Sequence, residues 1–230
     1  DISHLSAIYV VLPERYGRNK EKYRASDISR VSSFPKVRII RPKKDYGPLT
    51  KMLPALRRMR NKDNLVISVD DDVAYPLGMV NEMIYQKVMV HPNAVIEGCW
   101  HGHFRSIKKF RELWPQKKKG RDPNVDIVEG WQAVGYTPRP VKTGVMEEYS
   151  DISKNCYLSD DLVISYVLAS SRVKRVHVKN RYMCGDGFWG AWGYWYGSEE
   201  DALHRGGGTS NIKGATGSDD WNFEKYSKCL

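Results

Sequence analysis

The sequence predicts an α/β fold: a single domain with an open, mainly parallel sheet and helices on both faces. Three observations predict it. Short apolar runs rich in β-branched residues alternate with stretches of helical spacing through the first two-thirds of the chain. The length, 230 residues, suits one good-sized domain better than two. Hydrophobic residues at 41% and charged residues at 28% give the balance of a chain that folds.

Residues 7–12 (AIYVVL) read as a buried strand that stops at Pro13. Residues 36–40 (KVRII) read as a second, closed by Pro42, and residues 65–69 (LVISV) as a third that runs into three aspartates. Residues 93–96 (NAVI) make a fourth, and residues 173–178 (VKRVHV) alternate like a strand with one wet face. Between them, residues 48–59 open with Pro at a first helical position, and Pro54 is expected to kink or shorten that helix. Residues 76–90 carry Met79, Met83, Ile84, Tyr85 and Val88 at helical spacing and end at His91-Pro92. Residues 159–169 combine a capping Ser, two Asp in the first turn and a stripe of Leu162, Ile164, Val167 and Leu168. The glycine and tryptophan density of residues 185–217 opposes regular structure, and residues 181–230 are expected to fold back over the site. In such sheets ligands bind beyond the carboxyl ends of the strands.

The 37 Lys and Arg against 27 Asp and Glu give a net charge of +10, which favours anionic partners. Residues 105–121 hold eight basic residues and one acid: a solvated face, or contact with an anionic acceptor, a membrane surface or nucleic acid. No nucleic-acid module signature accompanies the run, so no nucleic-acid partner is expected. No apolar stretch approaches the roughly 20 residues that cross a bilayer, so no transmembrane segment is expected. Cys99, Cys156, Cys184 and Cys229 form no CxxC pair. A zinc site is therefore not expected, and reduced thiols in a cytoplasmic setting are.

Asp70-Asp71-Asp72 directly follows the third apolar run. On an extended backbone, residues i and i+2 share a side. Asp70 and Asp72 can thus face one hard cation together, with Asp71 turned toward a ribose hydroxyl or a backbone amide. Three adjacent carboxylates repel one another; Mg²⁺ or Mn²⁺ removes that cost, with phosphate completing the shell. The bland alternative is a solvated acidic turn before the next helix.

Taken with its neighbours, the triplet resembles the Asp-x-Asp motif of nucleotide-sugar glycosyltransferases with the A-type, Rossmann-like fold. The resemblance spans residues 7–178 and rests on a first strand ending in Pro13, the segment Asp45-Tyr46-Gly47-Pro48-Leu49-Thr50-Lys51, the triplet, Glu129-Gly130-Trp131 and Ser159-Asp160-Asp161. Similar transferase domains occur in bacteria and in large DNA viruses, including algal viruses; for a viral chain the setting would be host cytoplasm.

That resemblance implies a nucleotide-binding half over residues 1–90 and an acceptor and catalytic half over residues 91–180. Pro13, Arg15, Asp45 and Tyr46 would surround base and ribose, and Lys51 would reach base or diphosphate. For the segment around Asp45, a tight turn before a helix is an equal alternative. Asp70 and Asp72 would hold the metal against the phosphates, with His204 a further candidate ligand. Asp161 matches the catalytic base and Asp160 is second choice; the family usually has Glu-Asp here, and complementing a helix amino end would account for both. Glu129 and Trp131 would line the acceptor side, Trp131 stacking on a sugar or packing in the core. Trp189, Trp192 and Trp195 would form an acceptor lid.

The implied activity is hexosyl transfer from a nucleoside-diphosphate sugar, expected to be a UDP-sugar, to a glycan or glycoprotein hydroxyl with inversion, dependent on Mn²⁺ or Mg²⁺. Two alternatives stand beside it. A metal-dependent phosphodiesterase or nuclease would use the same triplet on a phosphodiester, and a glycan-binding module would rely on the tryptophans and the basic face alone.

Overall fold

The computed structural model describes residues 3–17, 22–59, 63–71, 75–98, 128, 130, 133–152, 154–157 and 160–178. Strands β1 (Ile8–Val11) and β2 (Val37–Ile40) pair in parallel, Ile8 opposite Val37 and Val11 opposite Ile40, with helix α1 (Ala25–Ser32) between them in sequence. A 3-10 turn at Gly47–Lys51 follows, then α2 (Leu53–Met59). The helix expected over residues 48–59 is thus two pieces. Pro54 has no N–H to give the Thr50 carbonyl, so an α-helix cannot run through Met52; two residues later the first turn of α2 tolerates the same proline.

The remaining elements are β3 (Val66–Ser68), α3 (Met79–Tyr85) continued by a π turn at Gln86–Val90, β4 (Ala94–Glu97), β5 (Val134–Tyr136), α4 (Thr143–Ile152), α5 (Lys154–Tyr157), α6 (Asp160–Ser170) and β6 (Lys174–His177). They build a second sheet in the order β3-β5-β4-β6. Here the expectation needs correction. The architecture is α/β, but the described strands form two sheets, and the larger is mixed: β4 and β6 run parallel while β5 is antiparallel to both β3 and β4. The sequence gives little sign of β5, because it is only three residues long and Gly135 interrupts its two strand-favouring residues, Val134 and Tyr136.

Helices do cover both faces of this sheet, and strand parity shows how. Ala94, Ile96, Ala133, Val176 and Val178 pack with Leu65 and Ile67 against Met79 and Met83 of α3. The alternate residues Val66, Val95, Val134 and Tyr136 pack against Leu53 and Leu56 of α2, Met146 of α4 and Leu162, Val163 and Leu168 of α6. Burying such side chains is worth about 1.5–3 kcal/mol each, so this second face anchors the domain. It also fixes direction at the carboxyl end of β3: Ser68 and Asp70 follow Val66 onto the face that carries α6.

Among the described residues no helix is long and apolar enough to cross a membrane. The expectation of reduced thiols fails at Cys156, which is disulfide-bonded. Disulfides persist in oxidising compartments, so cysteine usage no longer argues for a cytoplasmic setting.

Candidate functional site

Three segments distant in sequence meet at one ammonium group. Asp70 leaves the carboxyl end of β3, Lys51 ends the 3-10 turn, and Asp160 opens α6. Lys51 Nζ lies 2.6 Å from Asp70 Oδ1 and 3.0 Å from Asp160 Oδ2, with side-chain exposures of 22%, 24% and 13% for the three residues. Burial pulls the Lys51 pKa down, but Asp160, Asp70 and Asp161 outweigh it, so the ammonium is held well above its ordinary value. The Asp70 N–H donates to the Tyr75 hydroxyl at 2.8 Å, which clasps the start of the aspartate run.

Asp161 sits beside this cluster, where its Oδ1 accepts the Gly130 N–H at 2.7 Å. Glycine at 130 leaves room for the lysine: a Cβ there would stand 2.8 Å from Lys51 Nζ and 3.1 Å from Asp161 Oδ1. Beneath lies Tyr136, fully buried on β5. Burial first, with Asp161 and Asp160 adding to it and Lys51 and Ser68 opposing, raises its phenol pKa and keeps it protonated. The Tyr136 hydroxyl and Ser68 Oγ approach each other, yet neither completes a hydrogen bond to a described group.

Asp45 organises a neighbouring cluster. Its Oδ1 accepts the Gly47 N–H at 2.9 Å and the Thr50 hydroxyl at 2.8 Å, and its Oδ2 accepts the Gly17 N–H at 2.5 Å. Gly47 takes a left-handed φ of 63°, and a Cβ on it would press within 2.5 Å of the Tyr157 carbonyl oxygen. This is an aspartate turn that ties the loop after β1 to the start of the 3-10 turn. Tyr16, Tyr23 and Tyr157 gather around it. Burial and the Asp45 carboxylate push the Tyr157 phenol up; burial, then Tyr16, Asp45 and Asp71, push Tyr23 up. Arg41 stands 6.0 Å from the centre of the Tyr23 ring. Asp71, in the turn past β3, therefore belongs to the tyrosine side and Asp70 to the Lys51 side.

Among the other sequence-identified residues, Pro13 is buried just past β1, while Arg15 and Asp71 are exposed. Tyr46 is only 7% exposed: its ring packs in the core, and its hydroxyl donates to Glu147 Oε1 at 3.0 Å and accepts from Arg57 Nη1 at 3.2 Å. Arg57 in turn pairs with Glu147 and Lys44 with Asp151, fastening α2 and the β2 exit onto α4. Asp72, Glu129, Trp131, Trp189, Trp192, Trp195, His204 and the basic run at residues 105–121 lie outside the described residues. Sequence reasoning missed Tyr16, Tyr23, Tyr136 and Tyr157. They share no spacing or motif, and only the fold collects them.

The donor chemistry suits a hard cation, since Asp70 and Asp160 already share one positive charge through carboxylate oxygens. Among the described residues no group of three His, Cys, Asp or Glu converges as a full ligand set. Phosphate oxygens and Asp72 are the complement that reading requires. Comparison with protein-family models gives no match, and comparison with curated proteins gives none either.

Proposed function

We propose that this chain is a metal-dependent glycosyltransferase of the hexosyl type, using a nucleoside-diphosphate sugar, specifically a UDP-sugar, and inverting the anomeric carbon. One observation carries the reading: Lys51 joins Asp70 at the end of β3 to Asp160 at the start of α6, beside Asp161. An aspartate run that merely capped the following helix would have no reason to share a partly buried ammonium with a second acidic pair from the other half of the chain.

The roles follow from what each group can do. Asp70, with Asp72, would hold Mn²⁺ or Mg²⁺, and His204 would be a further ligand. When bound, that ion supplies positive charge against the departing diphosphate. Lys51 supplies a second positive charge to the same anion. Asp161, oriented by the Gly130 N–H, takes the proton of the acceptor hydroxyl. The acceptor oxygen forms its bond to the sugar C1, the C1–O bond to phosphate breaks, and the nucleoside diphosphate leaves with the electron pair. Asp160 positions Lys51. The tyrosine side, with Asp45 and Asp71, receives the nucleoside, because aromatic faces stack on bases and carboxylates accept from ribose hydroxyls. Glu129, Trp131, Trp189 and Trp192 are assigned to the acceptor, a glycan or glycoprotein. Residues 1–90 then form the nucleotide half and residues 91–180 the acceptor half of one domain.

A panel of UDP-sugars incubated with the protein and Mn²⁺ tests the proposal. Release of UDP that stops in excess chelator is expected. A protein that ignores every nucleotide sugar but cuts nucleic acid is a phosphodiesterase, and one that binds glycans equally well without metal is a lectin-like module.

A further inference from the structure

We propose that the Lys51 ammonium is a built-in occupant of the cation position, so that Lys51 and a divalent cation compete for the Asp70 carboxylate. The identity of the site rests on the glycosyl-transfer reading; the competition rests on geometry. Nζ lies 2.6 Å from Asp70 Oδ1, held there by Asp160 at 3.0 Å, so a divalent cation cannot take that oxygen while the ammonium keeps it. Like charges at such range repel strongly in a partly buried site. The backbone of Lys51 is pinned by its turn, where the Met52 N–H donates to the Leu49 carbonyl at 3.1 Å and Leu49 is fully buried, so any exchange moves the side chain alone. Gly130 provides the space Nζ occupies, since a Cβ there would lie 2.8 Å from it. A second observation bears on the same charges: the buried Tyr136 hydroxyl, which feels Lys51, Asp160 and Asp161, completes no hydrogen bond to a described group.

Competition has a functional consequence. In the unliganded protein Lys51 balances the carboxylates, and a divalent ion alone must displace it. A diphosphate offers the ammonium another anionic partner, which frees Asp70 for the ion. Nucleotide and ion therefore bind cooperatively, each raising the affinity of the other by the same factor.

The test is calorimetric titration of Mn²⁺ into wild type and Lys51→Gln, first without nucleotide and then with saturating UDP. Without nucleotide, Lys51→Gln is expected to bind Mn²⁺ at least about tenfold more tightly than wild type. UDP is expected to raise Mn²⁺ affinity more in wild type than in the variant. Equal or weaker binding by Lys51→Gln, or no measurable binding by either protein, overturns the competition. Should Lys51→Gln fail to fold by circular dichroism, Lys51→Gln/Asp160→Asn is compared with Asp160→Asn, and equal Mn²⁺ affinity in that pair overturns it as well. The two readings fail separately. Mn²⁺-dependent UDP release by wild type with no gain in Lys51→Gln defeats the competition alone. A gain in affinity without turnover of any UDP-sugar defeats only the glycosyl-transfer reading.

Discussion

Lys51 Nζ and Asp160 Oδ2, from opposite halves of the chain, lie 3.0 Å apart. Because Asp70 shares the same ammonium at 2.6 Å, this ion pair fixes where the end of β3 sits relative to the start of α6. Removing one partner of a desolvated pair costs more than the pair itself contributes, since it strands the other charge.

Asp161→Asn should keep the fold and nucleotide binding while transfer falls by about 10²–10⁴. The asparagine oxygen can still accept the Gly130 N–H, now at 2.7 Å from Asp161 Oδ1, so geometry survives and only proton acceptance is lost. Steady-state kinetics beside UDP titration will separate these effects. A variant that transfers normally removes Asp161 from the role of base.

Gly130→Ala should lower stability by about 1 kcal/mol and weaken nucleotide-sugar use more than that figure suggests. The new methyl carbon meets Lys51 Nζ at 2.8 Å, and Nζ is the far end of a flexible side chain, so the lysine shifts and the backbone stays. Thermal melts and the Michaelis constant for the donor measure the two consequences. Wild-type values for both would mean that Nζ need not occupy that space.

The fold was legible where the signal was local and strong. Five β-branched runs became β1, β2, β3, β4 and β6, each within a residue or two of its expected bounds. Strand β5 stayed hidden because Gly135 halves an already minimal strand, and with it the mixed order of the larger sheet. Helix α1, with the sequence ASDISRVS, was missed because only Ile28 and Val31 mark its apolar side, and helix α4 because it opens on the poor helix formers Thr143 and Gly144. The carboxylates of the site could be named from sequence, because three adjacent aspartates after an apolar run need a counter-charge. That Lys51 supplies one could not, since an ion pair between distant segments leaves no local pattern. Asp45 was legible as a turn residue, and its three hydrogen bonds confirm that job.

Acid stability should depend on Glu147. The hydrogen bond from Arg57 is the largest influence on its carboxyl and holds it below its ordinary 4.5, against the opposing effect of burial. A depressed carboxyl stabilises the fold above its unfolded pKa and loses that contribution as pH falls through the lower folded value. Melting temperature against pH from 6 down to about 3 should therefore drop more steeply for wild type than for Glu147→Gln. Parallel curves would mean that the Arg57–Glu147 pair carries no stability.

Reduction should destabilise the domain. Cys156 is fully buried in α5, next to Tyr157 and its contacts with the Asp45 turn. Loss of a native disulfide costs about 2–5 kcal/mol, so dithiothreitol should lower the melting temperature by several degrees. Cys156→Ser should start low and show no further drop on reduction. An unchanged wild-type melt under reductant argues that the bond contributes little.

The most direct measurement is the thermal shift caused by UDP with and without Mn²⁺ in wild type and Asp70→Ala, since ligands that bind only the native state raise its stability. Metal binding at Asp70 predicts that UDP and Mn²⁺ together raise the wild-type melting temperature by more than the sum of their separate shifts, and that Asp70→Ala, still folded, loses that surplus. A shift by UDP that ignores Mn²⁺, or one that survives intact in Asp70→Ala, contradicts it.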